Sequence, residues 1–280
     1  MDLIKNIVDS LYNNILAEWW LWVLILISII IPLIPGINPK KQNLKVFASK
    51  NFFVDALYGL FDLLHFWHYF VIVPTSVFVG KFLSDNFIFL KIDYVSQMPI
   101  WIQLIILFTV MDLSVYALHR FQHSNIYTWQ FHKTHHSQEV ITSLTTFRKT
   151  ILDRLFELII LTIPAFILSV DYSYPIYIVV FTTFHQLFIH SNTGHKLGYI
   201  GNFIVSPAFH EIHHSVALSH RDSNFGGVLT VWDKLFNTYV EPTNNLKFGI
   251  DDEKIPENYF YQIFVPLIGF YKILFKKPKN

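Results

Sequence analysis

Histidine is the residue type whose number and spacing in this sequence most clearly point to chemistry. The chain has 14 His among 280 residues and no Cys. Ten of the His fall in four short motifs between residues 119 and 214. These motifs are HRFQH with His119 and His123, HKTHH with His132, His135 and His136, HQLFIH with His185 and His190, and HEIHH with His210, His213 and His214. Neutral imidazole binds Fe, Zn, Cu and Ni, so the motifs indicate a metal site built from imidazole alone.

The spacing within three of these motifs suits metal binding on helices. Residues three or four apart lie on the same face of an α-helix, so HxxxH and HxxHH can each direct two or three rings toward one ion. A tetrahedral zinc site uses four ligands, so ten candidates indicate two metal ions. A single His–X3–His pair usually marks only a polar helix face. Two copies of HxxHH beside one HxxxH are much harder to obtain by chance.

Three His residues fit the metal site less well. His185 lies five positions before His190, which is about 140° around a helix, so the two do not share a face. His195 stands in a Gly-containing loop and His220 stands near a turn. We predict surface positions for His195 and His220, and we keep His185 as a candidate ligand beside His190.

Four other polar residues could support the site or lie in its surroundings. Metal-bound His usually donates its other ring N–H to a carboxylate or carbonyl group. Asp112 lies seven residues before His119, two turns back on the same helical face, so we predict that it supports the ligands, as does Asn224 after the last motif. His65 and His68 lie inside an apolar stretch, where a functional role and an interhelical hydrogen bond are both open.

The composition excludes several protein classes and favours a membrane protein. Hydrophobic residues make up 52% of the chain and charged residues only 15%, and mean hydropathy is +0.39. A typical soluble domain has about 25% charged residues. Lys and Arg number 21 against 20 Asp and Glu, so the chain has no net basic field that would attract nucleic acid. The lack of Cys excludes disulfides, thiolate ligands and a Cys nucleophile.

Long apolar stretches predict the helices that must position the histidines. The stretches are Trp19–Pro39, Leu63–Gly80, Tyr94–Leu118 and Leu158–Phe184. Asp171 and Pro175 break the last one into two arms of thirteen residues, which suits a helical hairpin or a re-entrant pair. Tyr259–Tyr271, followed by several Lys, predicts an interfacial helix. We therefore predict an all-α, multi-pass membrane protein with about four transmembrane helices and a histidine-rich helical cap.

Basic residues between these stretches predict the orientation. Cytoplasmic loops carry an excess of Lys and Arg. Two segments are basic, and their residues are Lys40, Lys41, Lys45 and Lys50 in the first, and Arg120, Lys133, Arg148, Lys149 and Arg154 in the second. The metal site is thus predicted on the cytoplasmic face of a bacterial inner membrane or an ER-type membrane. We expect one integral-membrane domain over 1–280, with spans in 1–104, a catalytic region in 105–240 and an interfacial tail in 241–280.

The motifs, in this order and spacing, resemble a known family. HRFQH, HKTHHS and HEIHHS, followed by DSNFGG and WDKLFNT, are similar over about residues 105–240 to the fatty acid hydroxylase/sterol desaturase superfamily of membrane di-iron enzymes. The bacterial members and the alkylglycerol monooxygenase branch are the most similar. The resemblance implies that the eight His of the HxxxH and HxxHH motifs bind the metals, with His190 and His185 completing the ligand set.

The resemblance also implies the chemistry. Two iron ions, cycling between Fe2+ and Fe3+, would activate dioxygen to hydroxylate or desaturate a C–H bond of an acyl, alkyl or sterol lipid. The electrons would come from a separate electron-transfer protein or reductant, of which tetrahydropterin is one candidate. Ether lipid cleavage of the alkylglycerol type is the alternative reaction.

Two functions of other classes fit less well. A His-rich membrane metal transporter would place its ligands within the spans near the midplane, whereas these motifs follow the spans. A membrane zinc hydrolase would use HExxH, in which two His bracket a Glu base, and HEIHH has a different order.

Overall fold

The computed structural model of the chain describes residues 48–64, 66–171, 173–251 and 254–275, together with residues 26 and 46. The first predicted span, Trp19–Pro39, lies outside the described residues except for Leu26. His65 and most of the Lys-rich loop after the first span also lie outside them. The side chain of His68 is likewise outside the description.

The described residues form helices, which confirms the all-α prediction for this part of the chain. Extended pairing within it is limited to two isolated β-bridges. The helices are α1 (Lys50–Leu63), α2 (Val73–Asn86), α3 (Asp93–Ser96), α4 (Ile100–Ser124), α5 (Ile126–His136), α6 (Ile151–Ile167), α7 (Tyr174–Ile189), α8 (Pro207–His213), α9 (Val231–Leu235) and α10 (Tyr259–Phe275).

Helix α4 lies at the centre of the fold. Its side packs against α5, α6 and α7. Leu107 and Met111 of α4 are buried against Ala165 and Leu168 at the end of α6 and Ile178 of α7. Full burial of an aliphatic side chain contributes about 1.5–3 kcal/mol. These contacts fix α4, and with it the HRFQH motif at its carboxyl end.

Among the described residues, one helix is long and apolar enough to cross a membrane, and it is α4. It corresponds to the third predicted span. The second predicted span, Leu63–Gly80, is not one continuous α-helix. Helix α1 ends at Leu63, a five-residue π-helix follows at His68–Ile72, and α2 continues past Gly80 through Asn86. The count of four spans and the cytoplasmic position of the cap stay predictions.

The predicted helical pair around Asp171 is present as α6 and α7. Helix α6 ends at Ile167, and α7 begins at Tyr174 with Pro175 in its first turn. A backbone N–H in the first turn has no acceptor within the helix, so proline costs no hydrogen bond there. Both helices pack against α4. The predicted interfacial helix is also present, as α10, which contacts α5 and α1. Its position at a membrane interface stays a prediction, as does the division of the chain into three regions.

A buried ionic network fastens the segment after α5 to α1. Arg148 is fully buried, and its guanidinium donates to Asp55 Oδ1 at 2.5 Å, to Glu257 Oε2 at 3.0 Å and to Ser137 Oγ at 3.2 Å. Ser137 directly follows the HKTHH motif. The network therefore holds the carboxyl end of α5, where that motif lies, against the rest of the fold.

We expect Arg148→Met to lower the free energy of unfolding by about 3–5 kcal/mol, because it leaves the buried carboxylate of Asp55 without its cationic partner. Equilibrium unfolding of the purified protein in detergent measures the change. Lys81→Met is the control, since Lys81 and Asp85 form an exposed ion pair at 2.8 Å on α2, and exposed pairs contribute little. Equal destabilisation by the two substitutions would contradict the role assigned to the network.

Candidate metal centre

Nine histidines form two adjacent groups whose ring nitrogens could each hold an ion. Within each group, the candidate ligand atoms lie within 4.8 Å of one another. The first group is His119, His123, His132, His136 and His213, and the second is His135, His190, His210 and His214. Both groups combine residues from distant parts of the chain.

Helix ends bring these rings together. Helix α4 ends just after His123, and α5 starts at once because Asn125 Oδ1 accepts hydrogen bonds from the backbone N–H groups of Tyr127 and Thr128. This N-cap turns the chain so that α5 carries HKTHH back beside HRFQH. Ser206 caps α8 in the same way, by accepting from Phe209 N. The short α8 then presents the HEIHH motif.

Backbone carbonyl groups fix the tautomers of three rings. His119 Nδ1–H donates to the carbonyl of Phe225 at 3.0 Å, and His213 Nδ1–H donates to that of Ser223 at 2.8 Å. His190 Nδ1–H donates to the carbonyl of Gln186 at 2.8 Å. A neutral imidazole whose Nδ1 donates has its lone pair on Nε2. These three Nε2 atoms are therefore available as metal ligands.

The Nε2 atoms converge in pairs at a separation that fits a shared cation. The Nε2–Nε2 distances are 3.0 Å for His119 and His132, 3.1 Å for His136 and His213, and 2.9 Å for His190 and His210. Two imidazole nitrogens at such a distance need either a shared proton or a shared cation between them. Nitrogens bound at about 2.1 Å to one ion, at right angles, lie about 3 Å apart. The donor set thus fits one ion in each group.

Burial keeps the imidazoles in the form that binds metal. It lowers the pKa of His135, His136 and His210 well below the usual value, and it does the same for His213 and His214. Neighbouring His rings lower these pKa values further. Metal ligands must be neutral imidazoles, so the site is prepared to bind cations.

Among the described residues, Asp112 makes no hydrogen bond to a candidate ligand ring, although its position on the helix predicts direct support. Its carboxylate accepts from Val228 N at 3.0 Å, Leu229 N at 3.1 Å and Trp232 Nε1 at 2.8 Å. These residues belong to the loop that supplies the Phe225 carbonyl. Asp112 therefore acts on the site through the loop 225–232.

Asn224 also holds this loop without touching a ring. Its side-chain amide donates to the carbonyl groups of Phe209 and Val240, and its Oδ1 accepts from Val240 N at 2.7 Å. Its φ of 56° is a left-handed conformation that Asn tolerates. Asp233 completes the anchoring by accepting from Phe225 N at 2.8 Å.

The remaining candidate His residues lie outside both groups. The structure does not bring His185 to the nine, and its Nε2–H donates to the carbonyl of Val205 at 3.0 Å. His195 is exposed, and its Nδ1 accepts from Leu197 N at 3.1 Å. His220 is half-buried and lies 2.9 Å from the hydroxyl of Ser215.

Three further residues lie beside the rings, and two of them, Asp153 and Thr146, were not predicted from the sequence. Asp153 Oδ1 lies 3.6 Å from His132 Nδ1, and Asp222 Oδ1 lies 3.6 Å from His123 Nδ1. The hydroxyl of Thr146 lies 3.1 Å from His190 Nδ1. Asp153 belongs to a T-x-x-D capping box at the start of α6, which signals a helix start but not a partner for His132.

Two cavities reach the histidines and are lined by different rings. A cavity of about 370 Å³ is lined by His123, His136, His213 and His214 together with Asp222 and other residues of the loops around it. A second cavity, of about 330 Å³, is lined by His119, His132, His135, His190 and His210. Apolar side chains of α4, α6 and α7 form much of the wall of the second cavity.

Comparisons with known proteins identify relatives over the region that holds both groups. The model of the family described as "Fatty acid hydroxylase" matches residues 104–238. Ornithine lipid hydroxylase OlsE of Rhizobium tropici is 28% identical over 189 residues, which cover 66% of this chain and 57% of the relative. Alkylglycerol monooxygenase of Danio rerio is 27% identical over 183 residues, covering 64% of this chain and 38% of the relative.

The human alkylglycerol monooxygenase is 28% identical over 143 residues, covering 51% of this chain and 32% of the relative. The chain thus spans less than two thirds of the length of these relatives. No solved structure matches it.

Proposed function

We propose that this protein is a membrane-bound non-haem di-iron oxidoreductase that uses dioxygen to hydroxylate a C–H bond of a lipid, and the match of residues 104–238 to the fatty acid hydroxylase family model supports this. The observation that carries the proposal is the convergence of nine His, six of them buried and three partly buried, in two groups, with five of the nine rings lining a largely apolar cavity. The relatives named as lipid hydroxylase and alkylglycerol monooxygenase support the reaction type.

Each group of His would hold one iron. We propose the five-membered group for the first ion and the four-membered group for the second. His185 stays outside the proposed ligand set because neither of its ring nitrogens joins either group. When bound, the two irons supply the redox chemistry that reduces dioxygen and removes hydrogen from an unactivated C–H bond.

The balance of the reaction requires an external reductant. Hydroxylation converts R–H, O2, two electrons and two protons into R–OH and water. The chain has no Cys that could supply the electrons. We propose a separate donor, an electron-transfer protein or a small reductant such as a tetrahydropterin, acting through the cavity lined by His136 and Asp222. Desaturation would use the same oxidant and electrons, with loss of a second hydrogen and formation of two waters.

The residues of the chain contribute binding, orientation and exclusion of water. Apolar side chains of α4, α6 and α7 line the second cavity and would hold the lipid beside the rings of His119, His132 and His210. The carbonyl groups of Phe225 and Ser223 hold two rings in the ligating tautomer. The lipid would reach the site from the bilayer along α4. We place the metal site at the cytoplasmic end of this helix.

Ether lipid cleavage is the second candidate, and the similarity to alkylglycerol monooxygenases favours it. Hydroxylation of the carbon next to the ether oxygen would give a hemiacetal, which separates into an aldehyde and an alcohol. A metal transporter is less well supported, because the nine ligands are mostly buried and form closed groups at helix ends, whereas cargo must pass through.

Isotope labelling tests the proposal. We expect protein made with iron to contain about two irons per chain, and cells supplied with 18O2 to accumulate an 18O-labelled hydroxylated lipid only when they contain the protein. Labelled aldehyde with loss of ether lipid would identify ether cleavage. A lipid two mass units lighter would identify desaturation. Iron far below two per chain, or an unchanged lipid profile in aerobic, iron-replete cells, would contradict the proposal.

A further inference from the structure

The cavity of about 330 Å³, which rings of both His groups line, also has a charged wall. A hydrocarbon chain alone would not need charged side chains beside it. Phe108, Met111 and Leu161 line the cavity on its apolar side. Asp112 also lines it, with its carboxylate hydrogen-bonded to the loop 225–232, and four further charged residues form one wall, namely Asp62, Lys149, Arg154 and Glu157. They come from the end of α1 and from the start of α6 with the residues just before it.

The four charged residues form two neighbouring ion pairs. Arg154 Nη1 lies 2.7 Å from Asp62 Oδ1, and Lys149 Nζ lies 2.6 Å from Glu157 Oε1. The exposed fractions of the side chains are 14% and 19% in the first pair and 26% and 37% in the second. The wall thus offers two cations and two anions with no net charge.

Placing these charges in a partly buried wall costs desolvation free energy, which contacts with a polar ligand would offset. Removing ion pairs from water carries a desolvation penalty that their mutual attraction often fails to offset, and apolar residues of similar volume are frequently more stable. The Nε of Arg154 is buried and has no hydrogen-bond partner among the described residues. The hydrogen-bonding capacity of this guanidinium is therefore not fully satisfied within the described part of the protein.

The charged wall lies next to the candidate irons. Lys149 and Arg154 flank a segment in which Asp153 Oδ1 is 3.6 Å from His132 Nδ1. A few residues earlier, Thr146 contacts His190 at 3.1 Å. A polar group bound at the charged wall would thus keep the atoms covalently attached to it close to both His groups.

The volume of the cavity fits a polar group with a short piece of chain. A water molecule occupies about 30 Å³ in the liquid, and a methylene group is of similar size, so a cavity of about 330 Å³ holds on the order of ten heavy atoms. A whole lipid is several times larger. The remainder of its hydrocarbon would extend beyond the apolar wall.

We propose that Asp62, Lys149, Arg154 and Glu157 bind the headgroup of a zwitterionic lipid, and that the oxidised carbon lies near that headgroup rather than in the distal half of the chain. The proposal rests on the proposed function and names its substrate class. The ammonium of the lipid would contact the two carboxylates, and its phosphate or carboxylate would contact the guanidinium and the ammonium of Lys149.

Equilibrium binding to the iron-loaded protein tests this specificity without turnover. The protein is held in a detergent with an uncharged headgroup, and calorimetry compares dihexanoyl phosphatidylethanolamine, which is zwitterionic, with anionic dihexanoyl phosphatidylglycerol and neutral dihexanoylglycerol. We expect the zwitterionic lipid to bind at least tenfold more tightly than either of the others. Equal affinity for the three lipids, or preference for the anionic or the neutral one, would overturn the proposal.

A double variant assigns the preference to the charged wall. Lys149→Gln with Glu157→Gln removes one pair while leaving no unpaired charge, and should reduce the preference to less than twofold with unchanged iron content. Lys81→Gln with Asp85→Asn removes a remote exposed pair on α2 and should preserve the preference. A preference that survives in the first double variant would contradict the role of this wall.

The position of oxygen in the product supplies a second test. Fragmentation of the 18O-labelled lipid should place the label within the first few carbons of the headgroup, and a label in the distal half of the chain would overturn this part of the proposal. Failure of the proposed function is separately visible, because it would remove iron and labelled lipid altogether. Failure of the present proposal would leave both in place with altered lipid preference or altered label position.

Discussion

His136→Ala is expected to reduce lipid oxygenation by more than a hundredfold and to lower bound iron from about two to about one per chain. His136 Nε2 lies 3.1 Å from both His123 Nε2 and His213 Nε2, so its ring stands at the centre of the first group. Substitution of residues that merely hydrogen-bond to metal ligands costs about 10–100-fold in metal affinity or activity. Loss of a central ligand should cost more.

The matching substitution in the second group should act independently on the other ion. His210 Nε2 lies 2.9 Å from His190 Nε2 and 3.1 Å from His214 Nε2. His210→Ala should therefore also leave about one iron, and the two substitutions together should leave none. Elemental analysis of the purified variants and the 18O2 lipid assay measure both quantities.

An exposed histidine provides the control for this experiment. His195 lies outside both groups, so His195→Ala should retain the iron content and the activity of the unmodified protein. Circular dichroism establishes whether the helices are retained in each variant. Full iron content and full activity in folded His136→Ala protein would contradict the assignment of the first group.

The composition of each His group depends on tertiary contacts that the sequence does not encode locally. Helical spacing predicts that His119 and His123 act together, and they do lie in one group. The same spacing cannot predict that His135 and His136, which are adjacent in the chain, fall in different groups. Adjacent residues on a helix point about 100° apart, so the two rings enter different groups once α8 packs against them.

The role of Asp112 illustrates a second limit of sequence reasoning. Its place on the helical face of His119 indicated a direct contact, but hydrogen bonds to backbone groups 116 and 117 positions away satisfy its carboxylate instead. Such partners lie on a loop without periodicity. The DSNFGG motif can be read from the sequence, whereas the use of its backbone to orient the His119 ring depends on the tertiary fold.

Apolar stretches predicted helices better than they predicted spans. The stretch around Asp171 became two helices joined by a turn, because Asp171 and Pro175 interrupt the helical pattern. Hydropathy alone could not predict the π-helix at His68–Ile72 within another stretch. An apolar segment that packs on protein and one that faces lipid have the same composition, so the number of spans does not follow from it.

Two carboxylates anchor the loop between α8 and α9, and the carbonyl of Phe225 in this loop contacts His119. Asp233 accepts from Phe225 N at 2.8 Å and from Gly226 N at 2.7 Å, and Asp112 accepts from Val228 N and Leu229 N. Backbone N–H groups on both sides of Gly227 are thereby held by side chains. The Phe225 carbonyl, which accepts from His119 Nδ1–H, consequently has little freedom to move.

We expect Asp112→Asn to weaken iron binding in the first group about 10–100-fold while leaving the second group unchanged. The amide nitrogen of Asn cannot accept from Val228, Leu229 or Trp232, so at least one buried donor loses its partner and the loop shifts. The His119 ring then loses the acceptor that selects its tautomer. Titration with a chelator, followed by Mössbauer spectroscopy of 57Fe-loaded protein, resolves the two irons.

Two further variants separate positioning from general destabilisation. Asp233→Asn disrupts the same loop from its other side, so it should give the same selective loss of the first iron. Asp171→Asn changes an exposed acid in the turn between α6 and α7 and should leave both irons bound. A positioning role requires that the two ions respond differently, because unfolding would release both. Equal loss of both irons in Asp112→Asn would therefore show that Asp112 contributes to stability alone.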